Sequence, residues 1–475
     1  MKKILFIFLF LFLCSKADAA TLYAKAAGGN YSSANTWSNV NSAGADNSGP
    51  PLATDAVIFD SGSSGTVTVD TTTCVASTLV VNASCTGTLT FTASQKLTVT
   101  TTVTFVTGFN LSGTGTLQLS NTATITSGGL TFPGSLIFDA GIWTLADNWT
   151  VTGSVTTQTS GCTLNETGAG VGDTFTIGGS LSINYTASGT TNIVLNGTGT
   201  LSCVSSSVYI GNDLTINTTG TITLGTTVNY QDGTLTYIAG TVNGSANSST
   251  LFIGDSCILD TNGINWYNIT INPPTSETIT LGSNLTCTND LIVNTSNDII
   301  TTAGAFDISC ANFIMDAGST WNMKSSETLT VTNSIQIQSD DLAAATTCTV
   351  KAVTGSTAFL LNYNGTTANC NVSGGVIFTD VDASGGNEII NYNGGALTNT
   401  TNITNYDGSD VGTPDYPDVG NVTEDDTVGG ATGTYHEATE AEVQSGVHFG
   451  ASSALTGTYG GGGSGGGASF FTMGN

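Results

Sequence analysis

The chain has 475 residues and a formal net charge of −27, from 34 acidic against seven basic side chains. All seven are lysines (Lys2, Lys3, Lys16, Lys25, Lys96, Lys324 and Lys351), too few and too scattered to neutralise phosphates, which argues against nucleic acid and anionic lipid as partners. Only 9% of residues are charged, so the exterior must be built mainly from Thr, Ser, Asn and Gly.

Residues 1–19 read as a secretory signal peptide: Lys2 and Lys3, an apolar run from Ile4 to Cys14, then the small-residue pattern Ala17-Asp18-Ala19. An apolar run of about ten residues is too short to span a bilayer. Leu11-Phe12-Leu13 before Cys14 lack the small residue of a lipoprotein site. The expectation is export without a lipid anchor and no membrane insertion, to the extracellular space or cell surface. Cleavage would leave 33 acids against 4 lysines, a charge of about −29.

From residue 20 onward strand signals dominate and helix signals are almost absent. The segments GTVTVD, STLVV, GTLTF, KLTVTT, GTLQLS, DLTINTTGTITL, DLIVNTS and ETLTVTNSIQIQS alternate aliphatic with Thr, Ser or Asn residues and are punctuated by Gly or Asn. In such a strand Val67 and Val69 face one side while Thr66 and Thr68 face the other. Thr-x-Thr units with an apolar centre begin at Thr66, Thr88, Thr150, Thr174, Thr221, Thr278 and Thr328. Their gaps of 22, 24, 47 and 50 lie near multiples of about 23, whereas 62 and 57 do not. A period in the low twenties predicts a β-solenoid, each coil stacking its apolar residues on the last. A row of antiparallel sandwich domains is the competing architecture. It requires hairpins and module boundaries that are not visible between about residues 66 and 395. The expected organisation is an N-terminal cap and first coils over 20–110 and solenoid coils over 111–395.

Two stretches carry a family resemblance. NTWSNVNSAGADNSGPPLATDAVIFDSGSSGTVTVD places Trp37, Pro51, Asp55, Val57, Ile58, Gly65, Val67 and Asp70 in an order similar to the start of β-helix proteins that carry the domain named for its eight glycines. NWYNITINPPTSETITLGSNLTCTNDLIVNTSND resembles coils of large bacterial surface proteins and phage tail-associated proteins, and FTDVDASGGNEIINYNGG resembles their last coils. The resemblance covers roughly residues 21–395, implies a right-handed parallel β-helix, and identifies no activity.

After Gly395 the composition changes. Residues 396–422 form an acidic segment with Pro414 and Pro417 and read as a linker. Residues 423–460 hold two related units, each with Thr-Gly-Thr-Tyr, and 461–475 form a glycine-rich tail. Such units resemble those at the ends of phage virion and secreted fibre proteins, which implies a homo-trimer. No sorting motif follows. The fold class expected is therefore all-β, a parallel β-helix with short C-terminal appended repeats.

The chain offers little catalytic chemistry. Without arginine, lyase machinery is nearly excluded. Asp340-Asp341 and Asp260 faintly resemble the acidic motifs of pectin hydrolases, but the accompanying His and Arg-x-Lys segments are missing, and adjacent acids on a strand face opposite ways. His448 lies near Ser452, while the other copy of that repeat holds His436 without the serine, so no triad is assigned. Asp380, Asp382 and Glu388 surround a glycine turn with oxygen ligands, as in part of a calcium loop, but a solvated turn is the simpler reading. Nine cysteines remain after cleavage. They are read as interior packing or as one or more disulfides, with Cys74–Cys85 the favoured pair, and no Cys/His metal cluster is present. Thr-x-Thr arrays also raise ice binding, which demands an uninterrupted column of hydroxyls that the variable spacing does not predict. The Asn-x-Ser/Thr sequons at Asn30, Asn82, Asn148, Asn184, Asn268 and Asn284 are expected by chance in so Asn- and Thr-rich a chain. No catalytic, cofactor or metal residue is therefore assigned. The expectation is a non-enzymatic, exported structural or adhesive solenoid with surface glycans or receptors as partners. A phage tail fibre or receptor-binding protein of the virion is the alternative, and a polysaccharide-degrading β-helix enzyme is third.

Overall fold

The computed structural model describes residues 19–338 except 122, 160, 168–171, 262–263, 273–277, 295–305, 316–319 and 324–327, and beyond 338 the backbone of short separate strands. It is all-β, with the 3-10 turns Ala34–Thr36 and Ser245–Asn247 as the helical pieces among the described residues. No helix among them is long and apolar enough to cross a membrane.

Alternation and register build a parallel solenoid of about 11 turns. Each turn contributes a strand to each of three faces. In the first full turn these are Ala56–Phe59 on the first face, Thr66–Val69 on the second, and the start of Cys74–Val81 on the third. The rest of Cys74–Val81 then begins the next turn, with a register shift between Ala76 and Thr78 that bends the chain round the corner. Because the strands are parallel and in register, inward residues stack into columns. Cys74, Leu97, Leu117, Leu136, Val155, Leu181, Leu201 and Leu224 form one on the third face. Trp149, Phe175, Ile193, Leu214, Leu235, Leu259 and Leu281 form one on the second. All of these are at most 5% exposed. Full burial of such a side chain stabilises by about 1.5–3 kcal/mol, so the columns are the main attractive term.

Backbone donors and acceptors of one coil bond the next, and at corners side chains take over. Thr174 N–H donates to Asn148 Oδ1 at 2.7 Å and Thr234 N–H to Asp213 Oδ1 at 2.7 Å. Asp307 N–H donates to Asn284 Oδ1, and Thr328 N–H to Asp307 Oδ1, each at 2.9 Å. An amide ladder climbs another corner, with Asn289 Nδ2 donating to Asn268, Asn312 Nδ2 to Asp290, and Asn333 Nδ2 to Asn312 at 2.7–2.9 Å.

The first end of the core is sealed by residues 20–55. Thr21–Ala24 pairs in parallel with Ala56–Phe59 and antiparallel with Trp37–Ser38. Trp37 is fully buried, its Nε1–H donates to the Tyr31 carbonyl at 2.8 Å, and its ring meets Tyr31 and Phe59 edge to face. Tyr31 Oη donates to the Val75 carbonyl on the first full coil. The N-terminal residues singled out in the sequence thus have structural duties. Asp55 accepts from the Ala20 and Leu52 N–H groups, and Asp70 from Ser32 N–H and Oγ. At Gly65 a Cβ would lie 2.5 Å from the Gly28 nitrogen, which explains the glycine. These are the parts of a lid for the core.

Beyond residue 338 the parallel pairing continues between strands such as Thr328–Gln338 and Cys370–Ser373, and Phe359–Tyr363 and Val381–Ser384. The two C-terminal units each hold one antiparallel pair, Thr427–Val428 with Ala431–Thr432 and His448–Phe449 with Leu455–Thr456.

Trp37→Ala is expected to lower the unfolding free energy by about 3–5 kcal/mol in denaturant titrations, because it opens a cavity at the end of the core. Asp46 gives a pH prediction. Hydrogen bonds from Ser48 and Ser38 hydroxyls and the Asn39 N–H hold its carboxyl well below the usual carboxylate range. A depressed folded pKa means that its contribution is complete above the unfolded value of about 4 and disappears as pH falls toward the folded one. Asp46→Asn should therefore lower the melting temperature at pH 7, and the gap to the parent protein should close in progressively more acidic buffer.

Candidate functional site

Of the acids considered for hydrolysis, the structure describes Asp260 alone. Asp260 ends the strand Cys257–Asp260 on the second face, half-buried and beside Thr236 of the preceding coil. Asp340, Asp341, His436 and Ser452 lie outside the described residues, as do Asp380 and Glu388. Asp382 lies on the strand Val381–Ser384, and His448 is paired with Thr456. Among the described residues no group of three or more His, Cys, Asp or Glu side chains could hold a metal ion.

The disulfide reading, with Cys74–Cys85 as its favoured pair, is corrected: both are buried free thiols. Cys74 points inward from the third face next to Leu97, whereas Cys85 sits at the corner between the first and second faces, where its thiol donates to the Ser63 carbonyl. The leading reading, packing in the interior, holds for all seven described cysteines. Burial pushes the thiols of Cys162 and Cys257 up to about 12 and those of Cys203 and Cys287 up to about 11, so none is a thiolate at neutral pH. Cys287 and Cys310 are stacked one coil apart, so their 23-residue gap is a true coil period.

One acidic cluster stands out. Asp147 accepts from the Ser127 and Gly128 N–H groups, and Glu166 from those of Gly172 and Asp173. Asp173 itself is 8% exposed, and its Oδ2 makes no hydrogen bond. Burial first, then the charges of Asp147 and Glu166, raise its pKa above the ordinary value. A carboxyl with a raised folded pKa destabilises the fold when ionised, and that loss grows as pH rises from the unfolded to the folded value.

The outer surface provides the most regular arrangement. On the third face Thr116, Ser135, Ser154, Ser180, Thr200 and Thr223 occupy one column on six successive coils. The variable spacing does not predict this column. The step from Ser154 to Ser180 is 26 residues and that from Ser180 to Thr200 is 20, yet the register holds because the extra residues lie in corners. A parallel column of Thr156, Ser182 and Ser202 runs beside it. Gln158, Asn184 and Val204 follow directly after these three strands, all exposed. The result is a plaque without an ionisable side chain: the columns Ser154, Ser180, Thr200 and Thr156, Ser182, Ser202, bordered at the strand ends by Gln158, Asn184 and Val204.

Two of its hydroxyls are oriented by the backbone. Ser154 Oγ accepts from Ser180 N–H at 3.2 Å, and Ser180 Oγ from Thr200 N–H at 2.9 Å, which leaves each O–H available as a donor. At the corner beyond the plaque Tyr185 is 42% exposed, and Val204 on the next coil is 67% exposed. The inward Thr157 hydroxyl fixes this corner, accepting from Asn184 and Tyr185 N–H and donating to the Tyr185 carbonyl at 2.7 Å. The second face is less uniform. Thr66 and Thr68 stack on Thr88 and Thr90, then on Asn110 and Ser112, but Val194 interrupts the hydroxyls further along.

No family model, curated protein or solved structure matches this chain.

Asp173→Asn is expected to raise the melting temperature at pH 7, with the gain shrinking as the buffer is acidified toward pH 4. An unchanged or lower melting temperature would refute the account of Asp173.

Proposed function

We propose that the chain is an exported, non-enzymatic structural or adhesive solenoid whose outer faces hold surface polymers, glycans foremost, through many weak polar contacts. The observation that carries this reading is the in-register column of hydroxyls from Thr116 to Thr223, a repeating surface on a rigid rod. A site for bond cleavage needs a few convergent groups with contrasting protonation, whereas adhesion needs repetition. The charge of −27 keeps such a rod soluble and suits an extracellular setting, and residues 1–19 supply the export signal. The resemblance of the N-terminal segment to the eight-glycine domain, and of the middle coils to bacterial surface proteins, agrees with this reading.

A virion component, such as a tail fibre or receptor-binding protein, is the second reading. It is favoured by the paired C-terminal units, each with a short antiparallel strand pair, and by the glycine-rich tail. The signal peptide favours the cellular reading, since virions assemble in the cytoplasm. Tail or capsid genes beside the coding sequence would decide for the virion. A trimer, implied by the fibre resemblance, is tested by light scattering.

Pull-down of the secreted chain on insoluble polysaccharides and whole cells should show retention, with no reducing sugar released. Sugar release that is lost in Asp340→Ala would overturn the non-enzymatic reading.

A further inference from the structure

The plaque on the third face combines features that select a ligand. It is electrically neutral in a chain of charge −27, its side chains are almost all both donors and acceptors, and an exposed aromatic ring stands at its edge. We infer that this plaque, together with Tyr185, is a track for a neutral polysaccharide chain lying along the solenoid axis. The inference rests on the adhesive reading above and deepens it by naming the place and the ligand class.

Three physical features meet there. Sugar hydroxyls donate and accept at once, which matches Ser182 and Ser202 better than a carboxylate or an ammonium would. The C–H face of a pyranose is apolar and packs on an aromatic ring, and Tyr185 offers an exposed ring, with Val204 exposed on the following coil. Successive coils are about 4.8 Å apart, close to the advance of one sugar in an extended β-linked chain, so consecutive sugars meet equivalent hydroxyls. The Tyr185 backbone is already fixed by the Thr157 hydroxyl, which lowers the ordering entropy that binding must overcome. An anionic glycan gains nothing from this face and is repelled by the acidic chain around it. An ice surface fits less well, because Ser replaces Thr over much of the plaque and Tyr185 and Val204 break its flatness.

Affinity electrophoresis of the full secreted chain in gels containing mixed-linkage β-glucan, glucomannan or galactomannan tests this, with polygalacturonate as the anionic control. At least one neutral gel should retard the parent protein, and polygalacturonate should not. Tyr185→Ala, and separately the pair Ser182→Asp with Ser202→Asp, should weaken binding by about tenfold or more, while Tyr185→Phe stays within about threefold of the parent. Thr88→Asp on the second face should bind as the parent does. Melting temperatures of the variants, which alter exposed or half-buried side chains, report whether folding is intact. Neutral binding that survives both third-face variants but is lost in Thr88→Asp would overturn the assignment and leave the adhesive reading standing. Binding of polygalacturonate alone, or of ice alone, would likewise overturn it. A chain retained by no polysaccharide and no cell surface would sink the adhesive reading itself.

Discussion

The hydrogen bond from one coil to the next is the constraint on which everything else rests. In a parallel stack each strand must place its N–H and C=O groups opposite those of the coils above and below, and a buried backbone group left unpaired is costly. Along the faces this is met by the strands themselves. At the corners the peptide planes turn away, and the chain substitutes side-chain oxygens: Asn148 for Thr174, Asp213 for Thr234, Asn284 for Asp307, Asp307 for Thr328. This explains a composition poor in charge yet rich in Asn, Ser and Thr. Much of that polarity holds coils together before any of it meets solvent.

The same constraint decides where length can vary. A residue added within a face would flip every later side chain from core to solvent, whereas one added at a corner changes only the loop. Coils therefore differ by several residues while Leu136, Val155, Leu181 and Leu201 remain stacked. The alternation of Val67 and Val69 with Thr66 and Thr68 was legible because it is local. The column of Thr116, Ser135, Ser154, Ser180, Thr200 and Thr223 was not, because irregular corners hide it. The Thr-x-Thr spacing shows the difficulty. The awkward step from Thr88 to Thr150 spans several short coils of the second face, through Asn110 and Thr131. The steps from Thr174 to Thr221 and from Thr221 to Thr278 jump between faces. Reading one period through residues of different faces blurs a register that is regular within each.

Cysteine placement follows from the same geometry. Proximity in sequence between Cys74 and Cys85 suggests a bridge, but half a turn of chain places inward positions on different sides of the core, whereas a full turn stacks them. Residues one coil apart, such as Cys287 and Cys310, are the true neighbours. Sequence distance misleads in a solenoid unless it is measured in coils.

The division between core, corner and face also bears on function. Inward positions are committed to packing, and corner acids such as Asp147 and Asp213 are committed to backbone N–H groups. What remains uncommitted is the outward row of each face, and on the adhesive reading proposed above that row is what a ligand would meet. The third face keeps its outward repeat over six coils, and at its rim Tyr185, its backbone held by the inward hydroxyl of Thr157, departs from that repeat. Ser154 and Ser180 link the two roles. Each accepts the N–H of the next coil and keeps its proton for the solvent side, so the contact that sets the register also orients the face.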